Sequence, residues 1–358
     1  MTVVTRYLLR EFSKVAAAAV TGFLILFLVI DFAERVDEFL KFKASMGEML
    51  RYYLYSLPNF FVLTSPVAVL LAVLVTVSLR ARANEFTAIF AGGISFWRAC
   101  APILAGCAVL SVLSLGVSET LAPHSNRKAR EIARVRVRPG RIEAQFSLNR
   151  YWIRGEKGIL SAQVIDPGRR ELLGFLYLEV DGRFRLVRRV DARSAAVLAG
   201  GKWILRDGTE RAFVGTPRVS TFVEKEYAFP ETLPMFLEGE TPPDEMTYVR
   251  LSRYIRDSVA RGYDMQRYEV DLHAKLAYPL LNAVISLVAI PFALRSHRSG
   301  GVWRSIGTGL LIGFACWMLL SASLALGKKG LIPPLLSAWF PDLAIAAVGG
   351  YLFRGARR

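Results

Sequence analysis

The chain has 358 residues, 53% of them hydrophobic, and a mean hydropathy of +0.34. This composition excludes an ordinary soluble globular protein and is typical of a polytopic membrane protein. The net charge of +16 would suggest nucleic-acid binding in a soluble protein. Because the chain has no nucleic-acid-binding motif, a membrane explanation comes first: Lys and Arg collect on the cytoplasmic side of membrane proteins.

Six hydrophobic segments are each close to the roughly 20 residues that a helix needs to cross a bilayer. They cover residues 12–32, 57–79, 97–117, 276–294, 306–326 and 335–353. A long polar stretch without any run of membrane length separates the third segment from the fourth. The sequence therefore predicts three domains: membrane helices in residues 1–123, an insert in residues 124–245, and juxtamembrane and membrane helices in residues 246–358.

The basic residues of the short connections predict the orientation. In a six-span topology the N-terminus, the second-to-third connection, the fourth-to-fifth connection and the C-terminus lie on one side. Their basic residues are Arg6, Arg10, Lys14, Arg80, Arg82, Arg98, Arg295, Arg298, Arg304, Arg354, Arg357 and Arg358. By the positive-inside rule this side is the cytoplasm. We therefore expect a multi-pass protein of a bacterial inner membrane, with both termini cytoplasmic and the insert in the periplasm.

The insert has the pattern of a β domain. Turn signals separate its short alternating segments, and Asp-Gly pairs are strong hairpin signals because glycine accepts a positive φ. These signals are Gly155 to Gly158, Asp166-Pro167-Gly168, Asp181-Gly182, Gly200-Gly201 and Asp207-Gly208. After the insert, apolar residues recur at helical spacing from Leu251 to Val259. This spacing predicts an amphipathic surface helix.

The second-to-third connection contains a predicted short cytoplasmic helix at about residues 83–92. Asn84 is placed to cap its start, and Gly92 to end it. Phe86, Ile89 and Phe90 would share one face, exposed to the cytoplasm unless something covers it. Such a face suits docking into a groove of a partner protein. The alternative that the residues leave open is an interfacial helix resting on lipid.

The sequence offers no catalytic constellation. It has neither a Gly-x-x-x-x-Gly-Lys-Ser/Thr loop nor a Gly-x-Ser-x-Gly elbow, and its histidines (His124, His273, His297) lack metal-ligand spacing. We therefore predict no catalytic residue, no metal site and no cofactor in this chain. A membrane-embedded transferase with scattered polar residues would escape these criteria.

Four local patterns, in order along the chain, carry a family resemblance. They are Asp31 to Leu40 after the first hydrophobic segment, Asn84 to Ser95 in the short cytoplasmic helix, Tyr268 to Leu280, and Leu331 to Pro334. With the three-plus-three arrangement around a β insert, the chain resembles the LptF/LptG family of lipopolysaccharide export permeases over essentially its whole length. Pro333-Pro334 favours LptG over LptF.

The resemblance implies a fold and partners. The fold is a polytopic α-helical membrane protein with six transmembrane helices and an inserted periplasmic all-β, jellyroll-like domain. The permease pairs with an LptF-like permease on an LptB-like ATPase dimer, which binds ATP and Mg²⁺. The complex extracts lipopolysaccharide from the inner membrane, and the β domain passes it to LptC-like and LptA-like proteins.

The resemblance also suggests site residues. In the ATPase-coupling helix, Glu85 would form a salt bridge to a basic group of the ATPase, while Phe86, Ile89 and Phe90 fill its groove and Gly92 ends the helix. Cations at the periplasmic rim would bind the phosphates and acidic sugars of the lipid. The rim residues are Arg35, Lys41, Lys43, Lys328 and Lys329, which as an alternative are solvated loop charges.

Two further sets complete the predicted site. Gly309 and Gly313 form a Gly-x-x-x-Gly motif, which allows close helix packing either at the partner interface and gate or inside one subunit. Alternating aromatic residues of the insert would line a groove for acyl chains, or simply form its core: Phe146, Trp152, Phe175, Tyr177 and Trp203.

Other functions remain possible at this stage. A membrane-anchored scaffold would use the β domain only to recruit periplasmic partners. It would need neither an apolar-faced cytoplasmic helix nor cations at the rim. The permease of a different lipid ABC transporter would share the docking helix without needing the β insert.

Overall fold

The computed structural model of the protein describes residues 3–41, 44–133, 151–154, 158–166, 171–181, 185–197, 202–213, 218–228, 242–260, 263–296 and 302–356. The chain divides into two compact units. One unit comprises Met1–Ala133 together with Pro242–Arg358, and the other comprises Arg134–Thr241. The first is helical and the second contains the strands, so a β domain is inserted into a helical membrane protein, as the sequence predicts.

Within its described residues, the helical unit has eight α-helices and one short 3-10 helix. The α-helices are α1 Val3–Lys41, α2 Met46–Arg82, α3 Glu85–Ala91, α4 Phe96–Ile132, α5 Tyr248–Ala260, α6 Gln266–Ser296, α7 Val302–Lys328 and α8 Pro334–Ala356. Six of them (α1, α2, α4, α6, α7, α8) are long and apolar enough to cross a membrane. Three precede the insert and three follow it, which confirms the predicted spans.

The third long helix extends beyond the apolar run that predicts it. The insert was expected to begin at His124, but this residue lies within α4, which continues to Ile132. Pro123 does not end the helix, although an interior proline removes one backbone hydrogen bond and crowds the preceding turn. Better helix formers from Arg127 to Glu131 continue it. At the return, the 3-10 helix Pro243–Glu245 belongs to the helical unit, although the sequence assigns it to the insert.

Helix α2 is the centre of the helical unit, because α1, α4, α6 and α7 all pack against it. Its last four turns contribute Val69, Val73 and Val77 to the main core cluster. Helix α1, in contrast, is buried near both of its ends, as at Phe12 and Phe39, and its middle is exposed, as at Ile25. The first turns of α1 and the last turns of α2 therefore share one end of the bundle, beside α3.

The described residues of the insert form one antiparallel sheet of seven strands. These are β1 Tyr151–Arg154, β2 Gly158–Ala162, β3 Val164–Asp166, β4 Glu171–Val180, β5 Leu186–Val197, β6 Trp203–Ala212 and β7 Arg218–Tyr227. The hydrogen-bonded order is β1-β2-β4-β5-β6-β7, and β3 pairs with β4 beside β2. Neighbours in sequence are thus mostly neighbours in the sheet, as closely spaced hairpin signals predict.

One predicted turn is wrong. Asp207-Gly208 lies inside β6, where Asp207 adopts a φ of 49° and the pairing with β5 and β7 continues on both sides. Glycine is needed here because the ring of Phe222 packs directly against the backbone, and not because the chain turns. A Cβ at position 208 would lie 2.4 Å from that ring. Glycine inside a strand commonly marks such an approach. The dipeptide alone does not reveal which of the two roles applies.

Candidate functional site

Helix α3 occupies the turn between α2 and α4, at the end of the bundle where the chain begins. It comprises only seven residues, Glu85–Ala91. Asn84 is at the expected N-cap position, but it adopts a left-handed φ of 58° and its side chain makes no capping hydrogen bond. At the other end Gly92 keeps a negative φ, and Gly93 takes the positive φ of 81°. A helix this short is not stable by itself, so tertiary contacts must hold it.

The apolar face predicted for α3 is partly covered by the rest of the chain. Phe86 is 2% exposed and belongs to the main core cluster of the bundle. Ile89 packs partly against the same cluster. Phe90 is 37% exposed, with its ring centroid 6.2 Å from that of Phe96. Phe86 therefore anchors α3 to its own chain, and Phe90 keeps a solvent-facing surface.

The carboxylate of Glu85 is engaged within the chain. One oxygen, Oε1, accepts hydrogen bonds from Arg80 and from the hydroxyl of Tyr7, both at 3.2 Å. Arg80 also forms an ion pair with Glu11, which in turn pairs with Lys14 at 2.8 Å. The sequence prediction missed Tyr7, Glu11 and the second role of Arg80. These contacts join residues up to 78 positions apart, and no local pattern signals them.

The Gly-x-x-x-Gly motif of α7 packs inside this chain. A Cβ on Gly309 would lie 2.1 Å from a methyl carbon of Leu74, and one on Gly313 would lie 3.0 Å from a methyl carbon of Leu70. Both leucines belong to α2 and are buried. Close backbone approach at small residues is a common way for membrane helices to associate. The two glycines thus allow close contact between α2 and α7. This position agrees with the alternative that the motif packs inside one subunit.

Four of the five predicted rim cations are described, and they lie at the opposite end of the bundle, near the ends of α1 and α7. Arg35 pairs with the buried Asp31 at 3.1 Å, and its guanidinium carbon lies 5.6 Å from the ring centroid of Tyr52. Lys41 is exposed at the end of α1. Its predicted companion Lys43 lies outside the described residues. Arg35 therefore lies within a helix and is paired with an acid, in contrast to the loop charge that the alternative describes.

The second pair of rim cations belongs to the end of α7. Lys328 forms an ion pair with Asp271 of α6 at 2.6 Å. Lys329 is exposed in the turn that follows α7. Arg35 and Lys328 therefore have separate acidic partners, Asp31 and Asp271.

Polar contacts join the last turns of α4 to residues 244–248, the two segments of the helical unit between which the insert lies in the sequence. Arg130, near the end of α4, pairs with Asp244 at 2.7 Å and with Glu245 at 2.9 Å. The side chain of Asn126 donates to the backbone carbonyl of Asp244 at 3.0 Å. Glu119 accepts a hydrogen bond of 2.6 Å from the backbone N–H of Tyr248, the first residue of α5. The helical unit thus holds the outgoing and returning chain at a fixed separation.

Three of the predicted groove residues lie in the core of the insert. Phe175, Tyr177 and Trp203 are buried in one cluster, and the ring centroids of Phe175 and Trp203 are 5.7 Å apart. Their positions agree with the core alternative. Phe146 lies outside the described residues, and the structure describes the backbone of Trp152 but not its side chain.

A charged network crosses four neighbouring strands of the insert. Glu210 accepts from Lys225 at 2.7 Å and from the hydroxyl of Tyr227 at 2.8 Å, while Arg188 bridges Glu210 and Glu179. Burial would raise the pKa of Glu210, but the hydrogen bonds from Lys225 and Tyr227 outweigh it and lower this pKa below its ordinary 4.5. The network therefore stabilises the insert fully at pH values above the ordinary pKa of 4.5. This stabilisation is lost as the pH falls through the lower pKa that Glu210 has in the folded protein.

Comparison with known proteins adds to this geometry. A sequence profile of the family described as lipopolysaccharide export system permease LptF/LptG matches residues 6–355. The chain is also similar to the lipopolysaccharide export system permease protein LptG of Escherichia coli strain K12. The two are 23% identical over 309 residues, which cover 84% of each chain. The LptG protein of Escherichia coli O6:H1 matches to the same extent. The profile match includes all six long helices and the β insert.

Proposed function

This chain belongs to the LptF/LptG family of lipopolysaccharide export permeases, and we propose that it is the LptG-type subunit of an ATP-driven transporter. As a member of this family it is a multi-pass inner-membrane permease subunit. Its similarity to LptG of Escherichia coli, together with Pro333-Pro334, supports the LptG assignment over LptF. In our proposal an LptF-like permease completes the transport unit.

The observation that carries the energy-coupling proposal is the position of α3. It is a short helix outside the long apolar spans. Phe86 packs it against the core of the helical unit, and Phe90 is exposed. A partner ATPase dimer, which binds ATP and Mg²⁺, would dock on this exposed side. The arginines near α3, Arg80 and Arg82, favour the cytoplasm for this end of the bundle. The other end, and with it the insert, would then face the periplasm.

Lipopolysaccharide would enter at the opposite end of the bundle. Its phosphates and acidic sugars need cations, and Arg35 and Lys41 lie at the end of the most exposed span, α1. Charge-assisted hydrogen bonds from arginine to phosphate are among the strongest polar contacts in proteins. Since Asp31 already holds Arg35, the guanidinium is oriented before the lipid arrives. Lys328 and Lys329 would add to the same rim from α7.

The insert would then receive the lipid and pass it on. In the described part of the sheet, β1 and β7 each pair on one side only. We propose that one of these edges pairs with the β domain of an LptC-like or LptA-like protein. The apolar cluster around Trp203 would supply the surface for acyl chains if the sheet opens.

The test of the proposed function is purification from native membranes with a tag on this chain. We expect an ATPase, a second six-helix permease and lipopolysaccharide to co-purify, and the eluate to hydrolyse ATP. Recovery of the chain with periplasmic proteins alone, without an ATPase, would replace the transporter proposal with the scaffold alternative. A different lipid in the eluate would indicate the permease of another lipid transporter.

Charge reversal at the rim should weaken lipid binding. We expect the double variant Arg35→Glu/Lys41→Glu to reduce photocrosslinking to lipopolysaccharide about tenfold, which corresponds to about 1.4 kcal/mol. Lys41→Glu alone leaves the Asp31–Arg35 pair intact and should give a smaller reduction. Lys202→Glu, which changes the charge of the insert by the same amount as Lys41→Glu alone, serves as the control for that single variant. Crosslinking at the parental level in the double variant would exclude these residues from the binding site.

A further inference from the structure

Arg80, in the last turn of α2, contacts both α1 and α3. Its guanidinium forms ion pairs with Glu11 of α1 and, at 3.2 Å, with Glu85 of α3. The guanidinium carbon also lies 5.4 Å from the ring centroid of Tyr7. Tyr7 itself donates to Glu85. Three helices are thus joined at one guanidinium.

The network is partly withdrawn from solvent and incompletely satisfied. The side chains of Glu11, Arg80 and Glu85 are only 17%, 25% and 28% exposed. Within the described residues, Nε of Arg80 and Oε2 of Glu85 are buried without a hydrogen-bond partner. A partly satisfied network of this kind is costly, and small movements of its members change its energy strongly. The position of Glu85 therefore depends on contacts that α1 and α2 supply.

Short connections join α3 to α2 and α4, and each contains a residue with a positive φ. Only Ala83 and Asn84 separate α2 from α3, and Asn84 has a positive φ. After α3, Gly92 and Gly93 form a turn in which Gly93 has a positive φ. Movement of a helix this short is transmitted through the side chains that contact it. Arg80 and Tyr7 provide such contacts to α1, in addition to the anchor Phe86.

We propose that Arg80 is a positioning residue, which bridges Glu11 and Glu85 so that α3 and the first turns of α1 move as one body. A partner that displaces α3 then also displaces the first turns of α1, because Arg80 and Tyr7 connect the two helices. Glu85 acts through Arg80 on its own chain, in addition to any contact with a partner. The inference rests on the proposed function of α3 as the docking helix.

The test is the ratio of lipopolysaccharide transported to ATP hydrolysed, measured on the full complex in proteoliposomes. We expect Arg80→Gln to lower this ratio about tenfold, within the range typical for coupling between sites. Glu11→Gln should lower it as well, although Glu11 is not part of α3. Arg80→Lys should restore only part of the ratio, because an ammonium group does not bridge two carboxylates as a guanidinium does. The amount of co-purifying ATPase should stay at the parental level.

A double-variant cycle separates bridging from independent effects. If Arg80 is the bridge, Glu11→Gln should cause no further loss in an Arg80→Gln background. Lys14→Gln, which removes the other cation paired with Glu11, is the matched control and should leave the ratio within about twofold of the parental value.

Each outcome of this experiment has a distinct meaning. Parental ratios in both Arg80→Gln and Glu11→Gln, or losses that simply add, would overturn the bridging role while leaving the transporter function intact. A parental complex that hydrolyses ATP but never moves lipopolysaccharide would instead overturn the proposed function. Should Arg80→Gln fail to assemble, the near-isosteric Glu11→Gln still tests the bridge, because it removes only one of its partners.

Discussion

Replacement of Phe86 by alanine is expected to uncouple ATP hydrolysis from transport while leaving the membrane helices folded. Truncating a buried phenylalanine typically costs about 3–5 kcal/mol. Phe86 is 2% exposed, and it is the only residue of α3 that is fully buried among the described residues. A seven-residue helix gains little stability from its own backbone. We therefore expect the lost free energy mainly to weaken the packing of α3 against the helical unit.

The measurement is the transport ratio in proteoliposomes, together with the amount of ATPase that co-purifies. We expect the ratio to fall at least about tenfold, since a loss of 1.4 kcal/mol already changes an equilibrium tenfold. Phe90→Ala, a change of the same type at an exposed position of the same helix, separates the two roles. It should weaken binding of the ATPase without releasing α3. A Phe86→Ala complex with the parental ratio would show that the anchor is dispensable.

Replacement of Trp203 by alanine should unfold the insert and abolish transport. Trp203 is 0% exposed at the start of β6, where it is paired in register with Tyr227 of β7. The expected cost of about 3–5 kcal/mol is a large part of the 5–15 kcal/mol that usually stabilises a domain. The helical unit is compact without the insert, so α3 and its contacts should survive. The variant should still co-purify with an ATPase.

Limited proteolysis of the full chain reports on this prediction. In Trp203→Ala we expect rapid cleavage within residues 134–241 and protection of the long helices. Val223→Ala is the matched control, because Val223 is 80% exposed on β7 of the same sheet. Trp203→Phe distinguishes core from groove: it should retain the fold at a modest cost. Loss of transport with a protease-resistant insert would favour the groove role, and full transport in Trp203→Ala would contradict both roles.

The sequence was most informative where one physical requirement governs a long segment. Crossing a bilayer demands about 20 apolar residues, so the six spans are visible in composition alone. The strands of the insert are similarly visible through alternation and turn residues, although Asp207-Gly208 belongs to a strand. Helix ends were less predictable, as the continuation of α4 to Ile132 illustrates. Hydropathy changes at the membrane surface, whereas helical hydrogen bonding continues into the solvent.

The sequence predicted the candidate site only in part. The short helix between α2 and α4, its boundaries and its charged first residue followed from Asn84, Glu85 and Gly92. The inward direction of Phe86 did not, because amphipathic spacing shows that residues share a face without showing what that face contacts.

Composition and local order thus determined by themselves that this chain is a six-span membrane protein with an inserted β domain. Only the tertiary structure decided that Glu85 is bound by Arg80 and Tyr7, and that Gly309 and Gly313 pack against α2. The physical reason is the range of the interactions. Hydropathy and turn propensity act over a few neighbouring residues, whereas an ion pair or a close helix contact depends on positions that folding brings together from distant parts of the chain.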